Sequence, residues 1–184
     1  MVTPRFALFD TPIGSCGLVW AAQGLVGVLL PEANPAATRA RAQRRFGGAR
    51  EADAPADVQR TMLRVIGLLR GAPDALLDIA LDTSAVPPFD LRVYELARGI
   101  LPGQTLTYGE VAARLGEPHA ARAVGQALGA NPFPIIVPCH RVLAAGGQAG
   151  GFSANGGTRT KLRLLEIEGA PLGAGPGPGL FDGA

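Results

Sequence analysis

Short apolar runs open the chain: Phe6 to Asp10, Gly17 to Ala21 and Leu25 to Leu30. Turn signals at Pro12, Gly14 and Gln23-Gly24 separate them, so the pattern predicts a small antiparallel meander. The period then changes. Pro35 to Phe46 reads as a basic amphipathic helix whose Arg39, Arg41, Arg44 and Arg45 form a solvated face. Pro55 to Arg70 reads as a second helix, with Val58, Met62, Val65, Ile66 and Leu69 along one side. Asp78 to Leu81 is expected to add a strand. Thr83 to Pro88, with its Pro87-Pro88 pair, is the expected domain boundary.

Beyond it the pattern is helical. Phe89 to Ile100 spaces Phe89, Val93, Leu96 and Ile100 for burial, and Pro102-Gly103 stops the helix. Thr107 to Glu110 fits a capping box and predicts a helix to about Leu115. Gly116 breaks it, and Pro118 suits the first position of a following helix that runs to about Gly129. Two short helices across a glycine turn predict a helix-turn-helix. The second is nearly bare, with Ala120, Ala121, Ala123, Gly125, Ala127 and Gly129. Small side chains let a partner backbone approach, or let the helix pack inside its own protein. Asn131-Pro132-Phe133-Pro134 predicts a rigid extended connector, and Ile135-Ile136-Val137 a buried strand-like run. A glycine-rich loop, Gly146 to Gly157, precedes a last helix over Thr158 to Glu168. The expected division is an α/β domain over 1–86, a mostly helical domain over 87–170, and a flexible Gly/Pro-rich tail over 171–184.

Composition narrows the function classes. Hydrophobic residues make up 47% and charged residues 17%, ample for a core. No apolar run is long enough for a membrane helix, and Met1 to Arg5 does not begin a secretory signal. Two cysteines and two histidines cannot supply a CxxC or HxxxH metal cluster, and no metal or cofactor is expected. A lone cysteine pair without an export signal points to reduced thiols in the cytoplasm. Net charge is only +2, but no acidic residue lies between Glu117 and Glu166, a window holding Arg122, Arg141, Arg159, Lys161 and Arg163. Such a window is expected to present a positive surface suited to a polyanion.

Cys16 lies in a strand-like run and reads as a packed core residue. Cys139 differs. It follows Pro138 at the end of an apolar run, neighbours His140, lies in the acid-free window and precedes the glycine-rich loop. Nearby positive charge favours thiolate, so Cys139 reads as a nucleophile. In an extended chain Cys139 and His140 point to opposite sides, which favours a bridging water between them. Glu168 shares a helix face with Lys161, Leu164 and Leu165, and a carboxylate so placed needs a partner. It is the candidate to orient His140. Glu166 lies round towards solvent.

The blocks Thr107-Tyr108-Gly109-Glu110-Val111-Ala112, Arg122-Ala123-Val124-Gly125, Asn131-Pro132 and Pro138-Cys139-His140-Arg141-Val142 resemble the O6-alkylguanine-DNA alkyltransferases. Gly156-Gly157, Lys161, Leu164-Leu165 and Glu168-Gly169 continue the resemblance, which covers about Phe89 to Gly169 well and the N-terminal third loosely, through Thr11 to Gly14. It implies a first domain with a ribonuclease-H-like meander plus helices, and a winged helix-turn-helix-like second domain. It implies that Cys139 takes the alkyl group irreversibly, once per chain. His140 would receive the thiol proton through a water, Glu168 would orient His140, and Tyr108 would donate its phenol hydrogen to the guanine ring. The carbonyls of Val142 and Cys139 would read the exocyclic amine, and the Ser153 region, with Phe152, would hold the O6 side. Asn131 would brace the turn into the site, and Arg141 would be structural. The implied partner is double-stranded DNA carrying O6-alkylguanine, met through the minor groove with the base flipped out. Arg122 would fill the gap, and Ala121, Gly125 and Tyr108 would meet the DNA. The chain is expected to act as a monomer. It departs from the family pattern at Phe152, where tyrosine is common, at Gly129, often basic, and in a longer loop from Phe152 to Gly156. The zinc ligands of the animal form have no counterpart. Two rival readings are a lesion sensor without transfer activity, whose relatives lack the cysteine, and a thiol hydrolase, which leaves the helix-turn-helix without a role.

Overall fold

The computed structural model describes residues 3–171. All but the first residue of the expected tail therefore lies outside the described residues. The N-terminal runs form strands β1 (Arg5–Thr11), β2 (Gly14–Ala21) and β3 (Gly24–Leu29), paired antiparallel in the order β3-β2-β1. A two-residue strand β4 (Arg50–Glu51) adds parallel to β1, so the sheet is mixed rather than a pure meander. Helices α1 (Pro35–Arg45) and α2 (Ala56–Leu69) cover its two faces. Alternation along β2 explains this: Val19 joins Phe6, Leu29 and Ala42 under α1, while Leu18 and Trp20 join Val58, Met62 and Val65 of α2. Both faces are dry, which is why these strands read as nearly continuous apolar runs.

The expected strand at Asp78 to Leu81 does not form. The segment is irregular, with one bridge from Leu25 to Leu81. Only the Ala80 carbonyl pairs with β3, at 3.2 Å from Leu25 N–H, while one Arg98 nitrogen sits 2.9, 2.7 and 3.1 Å from the oxygens of Leu76, Leu77 and Ile79 on and just before the segment. Arg64 grips Asp74 and Asp78 from α2. The Ile79 carbonyl faces a guanidinium instead of a strand, so the pairing stops at the single bridge.

The second half contains α3 (Pro88–Arg98), a short strand β5 (Leu106–Thr107), α4 (Tyr108–Arg114) and α5 (Ala121–Ala130). It closes with β6 (Val142–Leu143), parallel to β5, and α6 (Thr158–Ile167). The capping box is complete, with Thr107 and Glu110 satisfying each other's backbone N–H groups. Pro118 does not open α5. A turn closed by Ala120 N–H on the Glu117 carbonyl comes first, and the helix starts at Ala121. Val93, Tyr94 and Ala97 of α3 pack on Val124, Ala127 and Leu128 of α5. Tyr94 also donates to the Ala127 carbonyl at 2.9 Å. Among the described residues no helix is long and apolar enough to cross a membrane.

The connector from α5 departs most from the sequence pattern. Ile135-Ile136 is a buried turn, not a strand, and Ile135 has φ 75°. A β-branched residue rarely adopts this conformation, at a cost of roughly 1–3 kcal/mol. Burial explains its persistence: Ile135 and Ile136 plug the core between sheet and α2. The Val28 N–H also holds the Pro132 carbonyl at 2.8 Å. The N-terminal half thus grips the strand of chain that leads to Cys139.

Gly27, beside Val28, carries part of this arrangement, because a Cβ there would lie 2.1 Å from the Phe46 ring. Gly27→Ala is expected to lower stability by about 1–3 kcal/mol, the usual cost of overpacking. Urea unfolding checks this, and an unchanged midpoint would contradict the packing described.

Candidate active site

Cys139 opens a single 3-10 turn, Cys139–Arg141, instead of lying in extended chain. Successive side chains in such a turn project about a third of a circle apart. Cys139 and His140 therefore diverge, and no direct hydrogen bond joins them. Cys139 is 8% exposed and lines a cleft of about 460 Å³ together with Tyr108, Gly125, Gly129, Phe152 and Ser153. That volume lies within the roughly 300–1,000 Å³ of small-molecule pockets.

His140 and Arg141 turn inward, both about 1% exposed. Glu168, at the end of α6, meets both. Its Oε1 lies 2.9 Å from His140 Nε2 and 2.7 Å from an Arg141 nitrogen, and its Oε2 accepts from Arg141 Nε at 2.9 Å. Arg141 also donates to the Ile100 carbonyl. Burial pushes the Glu168 carboxyl up, but the hydrogen bonds from His140 and Arg141 outweigh it and hold the group at about 2. Burial pushes His140 down from its ordinary value, against the pull of Glu168, so the imidazole is neutral. A carboxylate only accepts, so Nε2 carries the ring proton and Nδ1 keeps its lone pair. Nδ1 is the one buried side-chain atom of this cluster without a protein partner.

Burial raises the Cys139 thiol, while Asn131 and Lys161 pull it down. The basic window acts less as a surface than its composition suggested. Two of its five cations, Arg141 and Lys161, are buried, and Arg163 pairs with the solvent-facing Glu166. Lys161 Nζ donates to the Val142 carbonyl at 2.6 Å, and burial lowers it to about 8. Arg122 is exposed in the first turn of α5, without an ion pair among the described residues. Ala121 and Gly125 are half-buried, so this helix face is thin where it borders the cleft. Asn131 is buried and braces the turn, donating to the Val137 carbonyl at 3.0 Å and accepting from Phe133 N–H at 2.8 Å. Phe152 is half-buried against both cores, and Ser153 is exposed at the cleft.

Sequence reasoning missed two contributors. Arg45, assigned to a solvated face, reaches the carbonyls of Ala130 and Asn131 at 3.2 and 3.0 Å. No local signal marks a contact 85 residues away. Lys161 had no role of its own, although its place on the Leu164-Leu165-Glu168 face already pointed inward. Among the described residues no group of His, Cys, Asp and Glu is placed to hold a metal ion.

Residues 88–170 match the family model described as 6-O-methylguanine DNA methyltransferase, DNA binding domain. A methylated-DNA–protein-cysteine methyltransferase of Methanothermobacter thermautotrophicus is 32% identical over 161 residues, 88% of this chain and 83% of that protein. The fold is similar to that of Mycobacterium tuberculosis OGT solved in complex with DNA, with a TM-score of 0.70 and 32% identity over 91% of this chain and 95% of that one. It is also similar to the O6-methylguanine-DNA methyltransferase of Pyrococcus kodakaraensis, with a TM-score of 0.70 and 29% identity over 90% and 100% of the two chains.

The Glu168 carboxyl is depressed on folding, from 4.5 to about 2. Its contribution, on the order of 3 kcal/mol, is complete above the unfolded value and is lost as pH falls towards the folded one. His140, lowered by burial, adds a loss of the same sign below about 6.5. Urea unfolding of Glu168→Gln is expected to show lower stability at neutral pH and a flatter decline between pH 4.5 and 2 than the parent chain. Equal slopes would contradict the ionic role of Glu168.

Proposed function

The chain belongs to the methylated-DNA–protein-cysteine methyltransferases, and we propose that it carries out their direct-reversal repair with Cys139 as the alkyl acceptor. The observation that supports this most is the buried His140, its Nε2 committed to Glu168 and its Nδ1 without a protein partner, next in the chain to a cysteine that lines a cleft. His140 Nδ1 takes the thiol proton through a water. The thiolate sulfur attacks the O6-alkyl carbon, an S–C bond forms, the C–O6 bond breaks, and the electron pair moves into the guanine ring. Tyr108 donates its phenol hydrogen to the ring as that charge develops. The phenol is then reprotonated by the proton that Cys139 released, so the net change is thiol plus alkylguanine to thioether plus guanine. A thioether has no ready leaving group, and each chain reacts once.

The substrate lies in double-stranded DNA. An O6 carbon inside a duplex is out of reach of Cys139, so the base is flipped into the cleft, at a cost of about a few kcal/mol that a poorly paired lesion lowers. Arg122, exposed at the start of α5, fills the gap. The thin face at Ala121 and Gly125 lets α5 approach the minor groove. The Val142 and Cys139 carbonyls read the exocyclic amine. A carbonyl has two lone pairs, so the Lys161 contact leaves Val142 one for the base. Ser153 and Phe152 border the O6 side, and Asn131 holds the turn. We further propose a ribonuclease-H-like first domain to about residue 86, a winged helix-turn-helix-like second domain over 87–170, and a monomeric chain. Two free thiols, one of which must stay reduced to react, fit the cytoplasm.

Cys139→Ser is expected to abolish transfer from a duplex containing labelled O6-methylguanine while leaving duplex binding within about twofold, since the change removes only the nucleophile. Transfer at an undiminished rate would overturn the assignment. Tight lesion binding by the parent chain without transfer would favour a sensor. Arg122→Ala should slow reaction with the duplex about tenfold or more but leave reaction with the free O6-benzylguanine base nearly unchanged, because only the duplex requires flipping. Equal slowing of both would remove the gap-filling role.

A further inference from the structure

Lys161 is the fully buried cation that the reaction above leaves unused. Stability alone does not account for it. Among the described residues it pairs with no carboxylate, because Glu168 on the same helix face is taken by His140 and Arg141. It also sits near the N-terminal end of α6, where the helix dipole disfavours a cation. An unpaired buried ammonium is costly, and satisfying the Val142 carbonyl does not require a charge. Such a group is a candidate for a functional role.

Its second neighbour is Tyr108. Nζ lies 3.5 Å from the Tyr108 hydroxyl oxygen and 5.6 Å from the ring centroid. The ring is hemmed by glycines: a Cβ on Gly150 would stand 3.4 Å from it, and one on Gly125 3.8 Å. Tyr108 is half-buried at the cleft, and the direction of its hydroxyl hydrogen is set by the groups that face the oxygen. An ammonium has three donors and no lone pair. Facing it, the phenol oxygen can only accept, and its own hydrogen must point away from Lys161. The contact is long, but this constraint follows from charge and does not need a short bond.

We propose that Lys161 is a positioning residue that turns the Tyr108 hydroxyl hydrogen into the cleft, where the departing guanine receives it. This rests on the assignment of Tyr108 as the donor to the guanine ring. Lys161 also provides the cation that opposes burial of the Cys139 thiolate. The ionisable groups around it are Tyr108 from α4 and Cys139 and His140 from the 3-10 turn, with Arg141 and Glu168 paired behind them. Arg159, Arg163 and Glu166 on its own helix face solvent. Once Lys161 loses its proton, the amine offers a lone pair, and the Tyr108 hydrogen can turn inward to it.

The test is a double-mutant cycle on the full chain, reading the rate of methyl transfer from an O6-methylguanine duplex. Lys161→Met keeps the volume and removes the charge. It should slow the parent chain about tenfold or more, in the range for loss of an oriented donor. In a Tyr108→Phe background, without a hydroxyl to aim, the same change should cost less than about threefold, the remainder reflecting Cys139. Equal slowing in both backgrounds overturns the proposal. A second readout needs no change at Lys161: the rate advantage of the parent chain over Tyr108→Phe should shrink as pH rises through about 8. An advantage constant from pH 7 to about 9.5, well past the lysine transition, also overturns it. Absence of any transfer by the parent chain would instead sink the proposed reaction itself.

Discussion

The site depends on one buried carboxylate. Glu168 receives hydrogen bonds from His140 and Arg141, and Arg141 in turn ties the Ile100 carbonyl. Removing one member of such a cluster leaves a charge in the interior without compensation, which typically costs about 3–5 kcal/mol. The cluster therefore acts as a unit. It fixes the end of α6, the 3-10 turn and the exit of α3 relative to one another, and it sets the ring nitrogen that carries the proton. Protonation state and position come from the same contacts.

The acceptor side has a different support. Cys139 stands at the end of a turn that the local sequence would not choose, with Ile135 in the left-handed region. Three agents hold that turn. Asn131 bonds both its ends, the Val28 N–H holds Pro132, and Arg45 holds the carbonyls where α5 ends. Two of the three come from the N-terminal half. The sheet and α1 thus contribute to the reactive geometry although none of their side chains supplies a reacting group.

Much of this was legible in the sequence where the cause is local. The Thr107–Glu110 capping box was readable because both partners lie within one turn. The β-runs were readable from period alone, and the faces of α2 and α3 only in part: Leu68, Tyr94 and Ala97 are buried, while Ile66, Phe89 and Leu96 are half-buried. The block around Cys139, with Tyr108 and Asn131, was readable through family resemblance. What escaped depends on distant partners. The strand expected at Asp78 to Leu81 was lost to Arg98, some twenty residues on. Arg141 and Lys161 counted as surface charge by composition, yet both are buried because Glu168 and the Val142 carbonyl receive them. The 3-10 turn at Cys139–Arg141 also changes the reason for a bridging water. The two side chains diverge around a helical turn instead of across an extended chain.

The central claim, that this chain takes an alkyl group onto Cys139 once and permanently, is tested most directly by intact-mass spectrometry with peptide mapping. The protein would be incubated with an excess of duplex containing O6-methylguanine. The account predicts one methyl group per chain, saturating with time and located on Cys139. No mass gain, a methyl group on another residue, or continued repair beyond one lesion per chain would contradict it.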